Sequence, residues 1–413
     1  METITKNSAL NIQKLRQNFP SLSQKVKGKL LVYLGSGATA QKPKQVMDAI
    51  SNYYQTQNAN IHRGVHQLSI EITVAYENAL ATVQKYLNAT LSQEIIFTSC
   101  TTESINLVAN SFGEKYIKSA DEIIISEMEH HRNLLPWQIR CEEKDAVLKV
   151  STKNNKEELF IDEYKILLAS KTKNVAVTHV SNTVGTINPV KEITALAHKK
   201  NITVLVDSTQ AVPHMKVDVQ ALDADYFCFS GHKLFGPTGV GVLYGKEKWL
   251  NELPPYKVGG CTVKTIAFEK TEYAELPFKF EAGTPHIEGG IGVGAAINYV
   301  NDIGLENFGA YEYELLEYAT AKLSVIEGLR ILGTAKEKAS IISFVIEGVH
   351  PLDIATILDK QEIAVRTGHH CTQPLMEHFG IPGTIRVSLV FFNTIEEIDV
   401  LVNGIQKAIK MLR

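Results

Sequence analysis

The sequence predicts an α/β fold, a mainly parallel sheet covered by helices, followed by a smaller α+β C-terminal unit. Three observations carry this reading. Short apolar runs alternate with helix-length amphipathic segments from Glu94 to Asp207, the spacing of repeated β-α-β units with helices on both sheet faces. The polar stretches able to do chemistry fall at or just after the ends of apolar runs, where open α/β sheets bind their ligands. Beyond Gly290 to Tyr299 the regular alternation stops, although helix and strand patterns continue.

In chain order, Asn11–Leu22 has the pattern of a short amphipathic helix, with Leu15 and Phe19 on one side. Leu30–Leu34 is a short strand running into the Gly35-Ser36-Gly37 turn, and Pro43–Tyr54 is helical. Asn58–Gln67 is polar and irregular, a candidate functional loop. A long helix, Glu71–Leu87, leads into the alternating region. Its strands are Glu94–Thr98, Glu122–Ser126, Ala146–Val150, Asn174–Val180 and Thr203–Asp207. Its helices are Thr102–Glu114, Asn133–Glu142, Ile161–Leu168 and Val190–Lys199. Tyr226–Phe229 is a further apolar strand. The C-terminal region offers a helix at Leu305–Ile326, strands at Ser340–Glu347 and Ile363–Arg366, and a last helix at Glu396–Leu412. In that last helix Ile398, Leu401, Val402, Ile405 and Ile409 recur at helical spacing. The expected division is an N-terminal segment, residues 1–25, packing with the small domain, a large domain at 26–295 and a small domain at 296–413.

The bulk properties narrow the function. The chain has 413 residues and a net charge of −3, so nothing points to nucleic acid or an anionic membrane surface. No apolar run approaches membrane-spanning length, and residues 1–10 lack the apolar core of a signal peptide. The five cysteines are scattered and form no Cys-x-x-Cys pair. That argues for a reducing compartment, the cytoplasm, and for individual thiol chemistry.

The central stretch is Asp225 to Gly241, where an apolar run ends in Ser230-Gly231-His232-Lys233 and glycines follow. It places a lysine at a tight strand end. Upstream, Val204-Leu205-Val206-Asp207 is a strand ending in one carboxylate. A buried lysine and a strand-end aspartate are what pyridoxal phosphate (PLP) needs, the one for its aldehyde and the other for its ring nitrogen. Ser99-Cys100-Thr101-Thr102-Glu103 opens a helix. It serves either as an anion seat for the cofactor phosphate or as a plain N-cap. In Glu129-His130-His131-Arg132-Asn133, no carboxylate or cysteine accompanies the histidines at metal-ligand spacing, so no metal is expected. An imidazole stacked on a planar cofactor suits His130 better, with Asn182 in reach of the same site. Arg366-Thr367-Gly368-His369-His370-Cys371 surrounds a cysteine with cationic groups that favour thiolate, on a loop that Gly368 makes mobile. The alternative there is a buried structural cysteine. Arg386 sits on a strand and needs an anion: a substrate carboxylate or an internal salt bridge.

These residues fall in longer motifs. Asn60-Ile61-His62-Arg63-Gly64-Val65-His66, Met128-Glu129-His130-His131, His179-Val180-Ser181-Asn182, Ser230-Gly231-His232-Lys233, Phe280-Glu281-Ala282-Gly283-Thr284-Pro285 and Arg366 to Cys371 occur in that order. Together they resemble the class V aminotransferase-type cysteine desulfurases, nearest to the SUF-type group that includes selenocysteine lyases. The resemblance spans Leu15 to Leu412 and implies a PLP fold type I homodimer. It assigns PLP to Lys233, the ring nitrogen to Asp207, the ring hydroxyl region to Gln210 and Asn182, and stacking to His130. Phosphate falls to Thr101, Thr102, Ser230 and His232, with Thr284 arriving from a partner subunit. Arg386, with His62, Arg63 and Arg366, would hold the substrate, and Cys371 would attack its sulfur. The implied reaction turns L-cysteine into L-alanine and leaves a persulfide on Cys371 for a sulfur-acceptor protein, in iron–sulfur cluster assembly. The family's pattern is not kept at Gly35 and Gly37, Ser99 and Cys100, Ser208 and Thr209, or Cys261. These departures keep open a related PLP lyase with another substrate: a selenocysteine lyase, a cysteine-sulfinate desulfinase or a C–S β-lyase. The alternative of another class, a catalytically weak PLP-binding sulfur-relay protein, is opposed by the intact Lys233, Asp207, His130, Arg386 and Cys371.

Overall fold

The computed structural model describes residues 10–26, 28–62 and 64–413. Expectations placed on Arg63 and on residues 1–9 lie outside the described residues. A seven-stranded sheet runs in the order Ile95–Thr98, Gly241–Gly245, Tyr226–Ser230, Thr203–Asp207, Thr172–Thr178, Glu122–Ser126, Val147–Ser151. Only Gly241–Gly245 runs against its neighbours; the other pairings are parallel.

The alternation of side chains along these strands builds two cores. Ile124, Val175, Val204, Val206 and Phe227 face one layer of helices, which includes Gln67–Leu87 and Val190–His198. Ile123, Ile125, Ala176, Leu205 and Cys228 face the other, which carries Thr101–Tyr116 and Leu135–Glu143. Strands covered on both faces must be apolar throughout, which is why they read as continuous runs. The motif-bearing residues Thr98, Ser126, Thr178, Asp207 and Ser230 close five of the same-direction strands, so they share one sheet edge.

The C-terminal region forms a four-stranded antiparallel sheet, ordered Leu329–Leu332, Ile341–Ile346, Thr384–Ser388, Arg366–Gly368. Helices Leu305–Ser324 and Ile395–Leu412 share its core through Leu315, Leu323, Ile398, Leu401 and Ile405. Thr394 caps the last helix in a capping box with Glu397. Near the N-terminus, Arg16 pairs with Glu397 at 2.8 Å and Phe19 packs against Phe235, Tyr299, Phe391 and Phe392. Among the described residues, no helix is long and apolar enough to cross a membrane.

Some local expectations change. Asn11–Leu22 splits into a helix, Ile12–Arg16, and a 3-10 turn beginning at Pro20. Arg366–Gly368 is an edge strand paired with Thr384–Ser388, not part of a loop; the turn begins at His369. Ile287–Ile303 is an unbroken helix despite its glycines. A Cβ at Gly290 would meet Tyr76 at 2.9 Å, and one at Gly292 would meet Pro237 at 2.9 Å. Close packing, not helix propensity, selects glycine there.

Candidate active site

Lys233 ends a single 3-10 turn, Gly231–Lys233, that continues the strand Tyr226–Ser230. It is buried. Burial pushes its amine well below the ordinary lysine range; Arg132 and Arg386 add to the push and Asp207 opposes it. A neutral amine is the nucleophilic form. Asp207 ends the neighbouring strand and is 1% exposed at its side chain. Burial acts to raise its carboxyl, but Arg132 and a hydrogen bond from Thr209 outweigh this and hold it below the usual range. His130, close enough to feel both groups, is pushed down to about 2 by burial and by Arg132, so its imidazole is neutral.

A chain of hydroxyls joins the helix N-terminus to Asp207. The Thr101 N–H donates to Ser230 Oγ at 2.9 Å, and the hydroxyls of Ser230 and Thr101 lie 2.7 Å apart. Thr101 Oγ1 is 2.9 Å from Thr209 Oγ1, which donates to Asp207 Oδ1 at 2.6 Å. An ionised carboxylate only accepts. The protons must therefore run Ser230 to Thr101 to Thr209 to Asp207. Thr101 begins a 16-residue helix, so its end attracts an anion as well.

The cysteine segment closes over this edge from the C-terminal sheet. The His131 N–H donates to the Cys371 carbonyl at 2.7 Å, and the Asn182 amide donates to the His370 carbonyl at 2.8 Å. His370 and Cys371 both hold left-handed backbone, with φ of 52° and 59°, a conformation that non-glycine residues adopt at a cost. Cys371 is half-buried, which removes the reading as a structural core cysteine.

Arg386 is buried, and no salt bridge accounts for it among the described residues. Its Nη1 donates to the Asn182 carbonyl at 2.8 Å, while Nε and Nη2 find no hydrogen-bond partner. Ser36 Oγ, Ser388 Oγ and His370 Nδ1 are likewise buried without partners. Arg366 is its register partner on the adjacent antiparallel strand, an arrangement of like charges that repels unless an anion intervenes. Burial and Arg366 bring the Arg386 pKa down to about 9. A Cβ at Gly37 would come 2.6 Å from Ser388 Oγ and 3.5 Å from Arg386 Cζ, so glycine keeps this space clear.

The remaining expected residues are placed as follows. Gln210 donates to the Gly37 carbonyl at 2.8 Å. His232 lies beside Lys233, and its imidazole is pushed down to about 4, chiefly by burial, with the neighbouring Lys233, Lys42 and Arg132 side chains adding to the push. Thr102 and Thr284 are exposed. His62 packs edge-on against Phe278 and lies 3.8 Å from Glu77, so within one chain its contacts are not with the Lys233 cluster. Two participants escaped sequence reasoning. Arg132 reaches Asp207 through Nε at 2.7 Å and Nη2 at 3.1 Å. Lys42 donates to the His232 carbonyl at 3.0 Å. The sequence placed Arg132 in a histidine-rich stretch but carried no signal for its direction.

These residues fit pyridoxal phosphate. The fold supplies a buried lysine whose amine is pushed well below its ordinary range, a strand-end carboxylate, a neutral imidazole, and a helix N-terminus lined by hydroxyls. Among the described residues, no group of three or more His, Cys, Asp or Glu could hold a metal ion.

Comparison with known proteins agrees. The sequence is 49% identical over 397 residues to a cysteine desulfurase of Synechococcus elongatus, covering 96% of this chain but only 63% of that protein. It is 46% identical over 402 residues to a cysteine desulfurase of Salmonella dublin, covering 97% of this chain and 99% of that one. The fold superposes on the Escherichia coli cysteine desulfurase CsdA with a TM-score of 0.92 at 34% identity, covering 98% of this chain and all of that one. A sequence model of the class-V aminotransferases matches residues 32–401, and with that match over most of its length the chain belongs to the aminotransferase class-V family.

Proposed function

We propose that the protein is a PLP-dependent cysteine desulfurase. The observation that carries this is the orphaned Arg386, opposite Arg366, on the sheet whose next turn presents Cys371 to the Lys233 edge. The relatives' name, cysteine desulfurase, supports the same reading.

When bound at Lys233, PLP supplies an electron sink for the substrate's carbon skeleton. The chain's own residues do the rest. Arg386 holds the substrate carboxylate, its free Nε and Nη2 matching two carboxylate oxygens. His130, its imidazole neutral, would stack on the cofactor ring, Asp207 would pair with the ring nitrogen, and Gln210 and Asn182 would serve the ring hydroxyl. Thr101, Thr102, Ser230 and His232 would seat its phosphate. The Cys371 thiolate bonds to the substrate sulfur as the substrate Cβ–S bond breaks. The bonding electrons stay with carbon, which takes a proton and leaves as L-alanine. One sulfur atom is gained by Cys371, as a persulfide, for an acceptor protein.

A second copy of the chain completes the site in this reading. The hairpin Val263–Ile266 and Thr271–Tyr273 exposes Ile266 and carries a fully exposed Phe268 at its tip, and Thr284 further along is exposed too. Burying such side chains is what a dimer interface does. Five cysteines scattered along the sequence with no Cys-x-x-Cys pair suit a reducing, cytoplasmic setting.

The test is a titration of the PLP-loaded protein with L-cysteine, following visible absorbance together with alanine and sulfide. Equal yields of alanine and transferred sulfur are expected, and Lys233→Ala abolishes both the visible band and turnover. An intact visible band in Lys233→Ala, or no alanine from the wild type, overturns the proposal.

A further inference from the structure

Asp207 is already heavily engaged before any ligand is considered. Its Oδ1 accepts from Thr209 Oγ1 at 2.6 Å, from the Thr209 N–H at 3.1 Å and from Arg132 Nη2 at 3.1 Å. Its Oδ2 accepts from Arg132 Nε at 2.7 Å. A carboxylate offers about four acceptor positions, two on each oxygen. Oδ1 is thus saturated, and Oδ2 has one position left. The Arg132 guanidinium is itself buried, 9% exposed at its side chain. In such a setting the fork-shaped pairing is strong and poorly screened.

The other groups around Asp207 do not offset Arg132. His130 is neutral and His179 is pushed down to about 4 by burial. Burial keeps the Cys228 thiol, on the next strand, protonated. Burial pushes the Lys233 amine well below the ordinary lysine range. Glu129 is pushed up to about 7 by burial, against hydrogen bonds from Ser126, Asn133 and Thr178. Arg386 and Arg366 act on Lys233, and neither is hydrogen-bonded to Asp207. Arg132 is therefore the cation in direct contact with the carboxylate.

We infer that Arg132, assisted by Thr209, is a tuning residue: it keeps its ion pair with Asp207 when the cofactor is bound and weakens the hold of Asp207 on the ring-nitrogen proton. A carboxylate shared with a guanidinium is a poorer proton acceptor and a weaker stabiliser of a neighbouring cation. The electron-withdrawing power of the cofactor is then set by Asp207 together with Arg132 and Thr209, not by Asp207 alone. This rests on Asp207 facing the ring nitrogen.

The experiment reads the ring nitrogen directly. The holoenzyme is reconstituted with PLP labelled with 15N in the ring, and its 15N chemical shift is followed against pH in wild type, Arg132→Gln, Arg132→Lys, Thr209→Val and Asp207→Asn. Arg132→Gln is expected to raise the deprotonation midpoint by about one pH unit or more, a tenfold change in the protonated-to-neutral ratio. Arg132→Lys, which keeps a charge, stays nearer wild type, and Thr209→Val gives a smaller rise. Asp207→Asn lowers the midpoint. If Asp207→Asn moves it while Arg132→Gln and Thr209→Val do not, Arg132 leaves Asp207 on loading and the inference fails alone. If Asp207→Asn moves nothing, the ring-nitrogen assignment fails and takes the inference with it. Should Arg132→Gln load no cofactor, Thr209→Val decides: an unchanged midpoint overturns the inference, a raised one supports it.

Discussion

Arg386 crosses from the C-terminal sheet to the backbone of Asn182, its Nη1 lying 2.8 Å from the carbonyl oxygen. One contact leaves most of a buried guanidinium unsatisfied, so the residue is costly to the ligand-free protein and useful only with an anion.

Arg386 variants should therefore separate stability from activity. Arg386→Met is expected to raise Tm by about 1–4 °C, because it removes an uncompensated buried charge. Arg386→Lys lowers kcat/KM for L-cysteine by roughly 10- to 100-fold, mainly through KM, since charged hydrogen bonds of about 1.5–3 kcal/mol are lost. Calorimetry and steady-state kinetics check the two arms. A destabilised Arg386→Met with unchanged KM in Arg386→Lys would show a purely structural arginine.

Cys371→Ala should keep the cofactor's visible band but lose alanine production by roughly 100-fold or more, as expected when a nucleophile is removed. Mass spectrometry of wild type treated with L-cysteine should find one extra sulfur on the Cys371 peptide. An extra sulfur on Cys100 or Cys261 instead would reassign the acceptor.

The segment leading to Thr284 is anchored by a buried acid. Glu281 accepts from the Phe97 N–H at 2.9 Å and from Tyr76 at 3.4 Å, yet burial raises its pKa to about 7. The folded protein therefore binds its proton more tightly than the unfolded chain. That contribution is full below the ordinary glutamate value near 4.5 and is lost as pH rises through about 7. Glu281→Gln should flatten the fall in stability between these values, by an amount on the order of 2–3 kcal/mol. Urea unfolding at several pH values measures it; parallel pH profiles for variant and wild type would refute it.

Subunit mixing tests the shared site. Lys233→Ala and Thr284→Ala chains, each impaired alone, should regain activity when refolded together, because each heterodimer contains one site with both residues. No recovery, or wild-type activity eluting at monomer size, excludes a contribution from Thr284 across the interface.

The large sheet was legible because strands buried on both faces must be short, unbroken apolar runs. Thr203–Asp207 and Tyr226–Ser230 are buried at every position, and the ends of these runs mark Asp207 and Lys233 in the sequence itself. The helix Ile287–Ile303 was not legible: its glycines lower helix propensity, and the contacts with Tyr76 and Pro237 that select them come from distant segments. Arg132 illustrates the same limit within the site. Its neighbours in sequence suggest cofactor chemistry, but its pairing with Asp207, 75 positions away, depends on how the turn after Ser126 is folded. The expectation for Thr284 depends on a second chain and leaves no trace in the contacts of one.

The one-way order of protons from Ser230 to Asp207 makes those hydroxyls behave as a single toggle. For Ser230 to give its proton to a phosphate, its bond with Thr101 must reverse, and Thr101 then no longer donates to Thr209. Stripped of that incoming bond, Thr209 polarises less and donates more weakly to Asp207. Occupation at the helix end is thereby reported at the carboxylate. A dephosphorylated vitamer, pyridoxal in place of its phosphate, would leave the toggle at rest and meet a more strongly neutralised Asp207, so discrimination between the two would extend beyond the phosphate contacts.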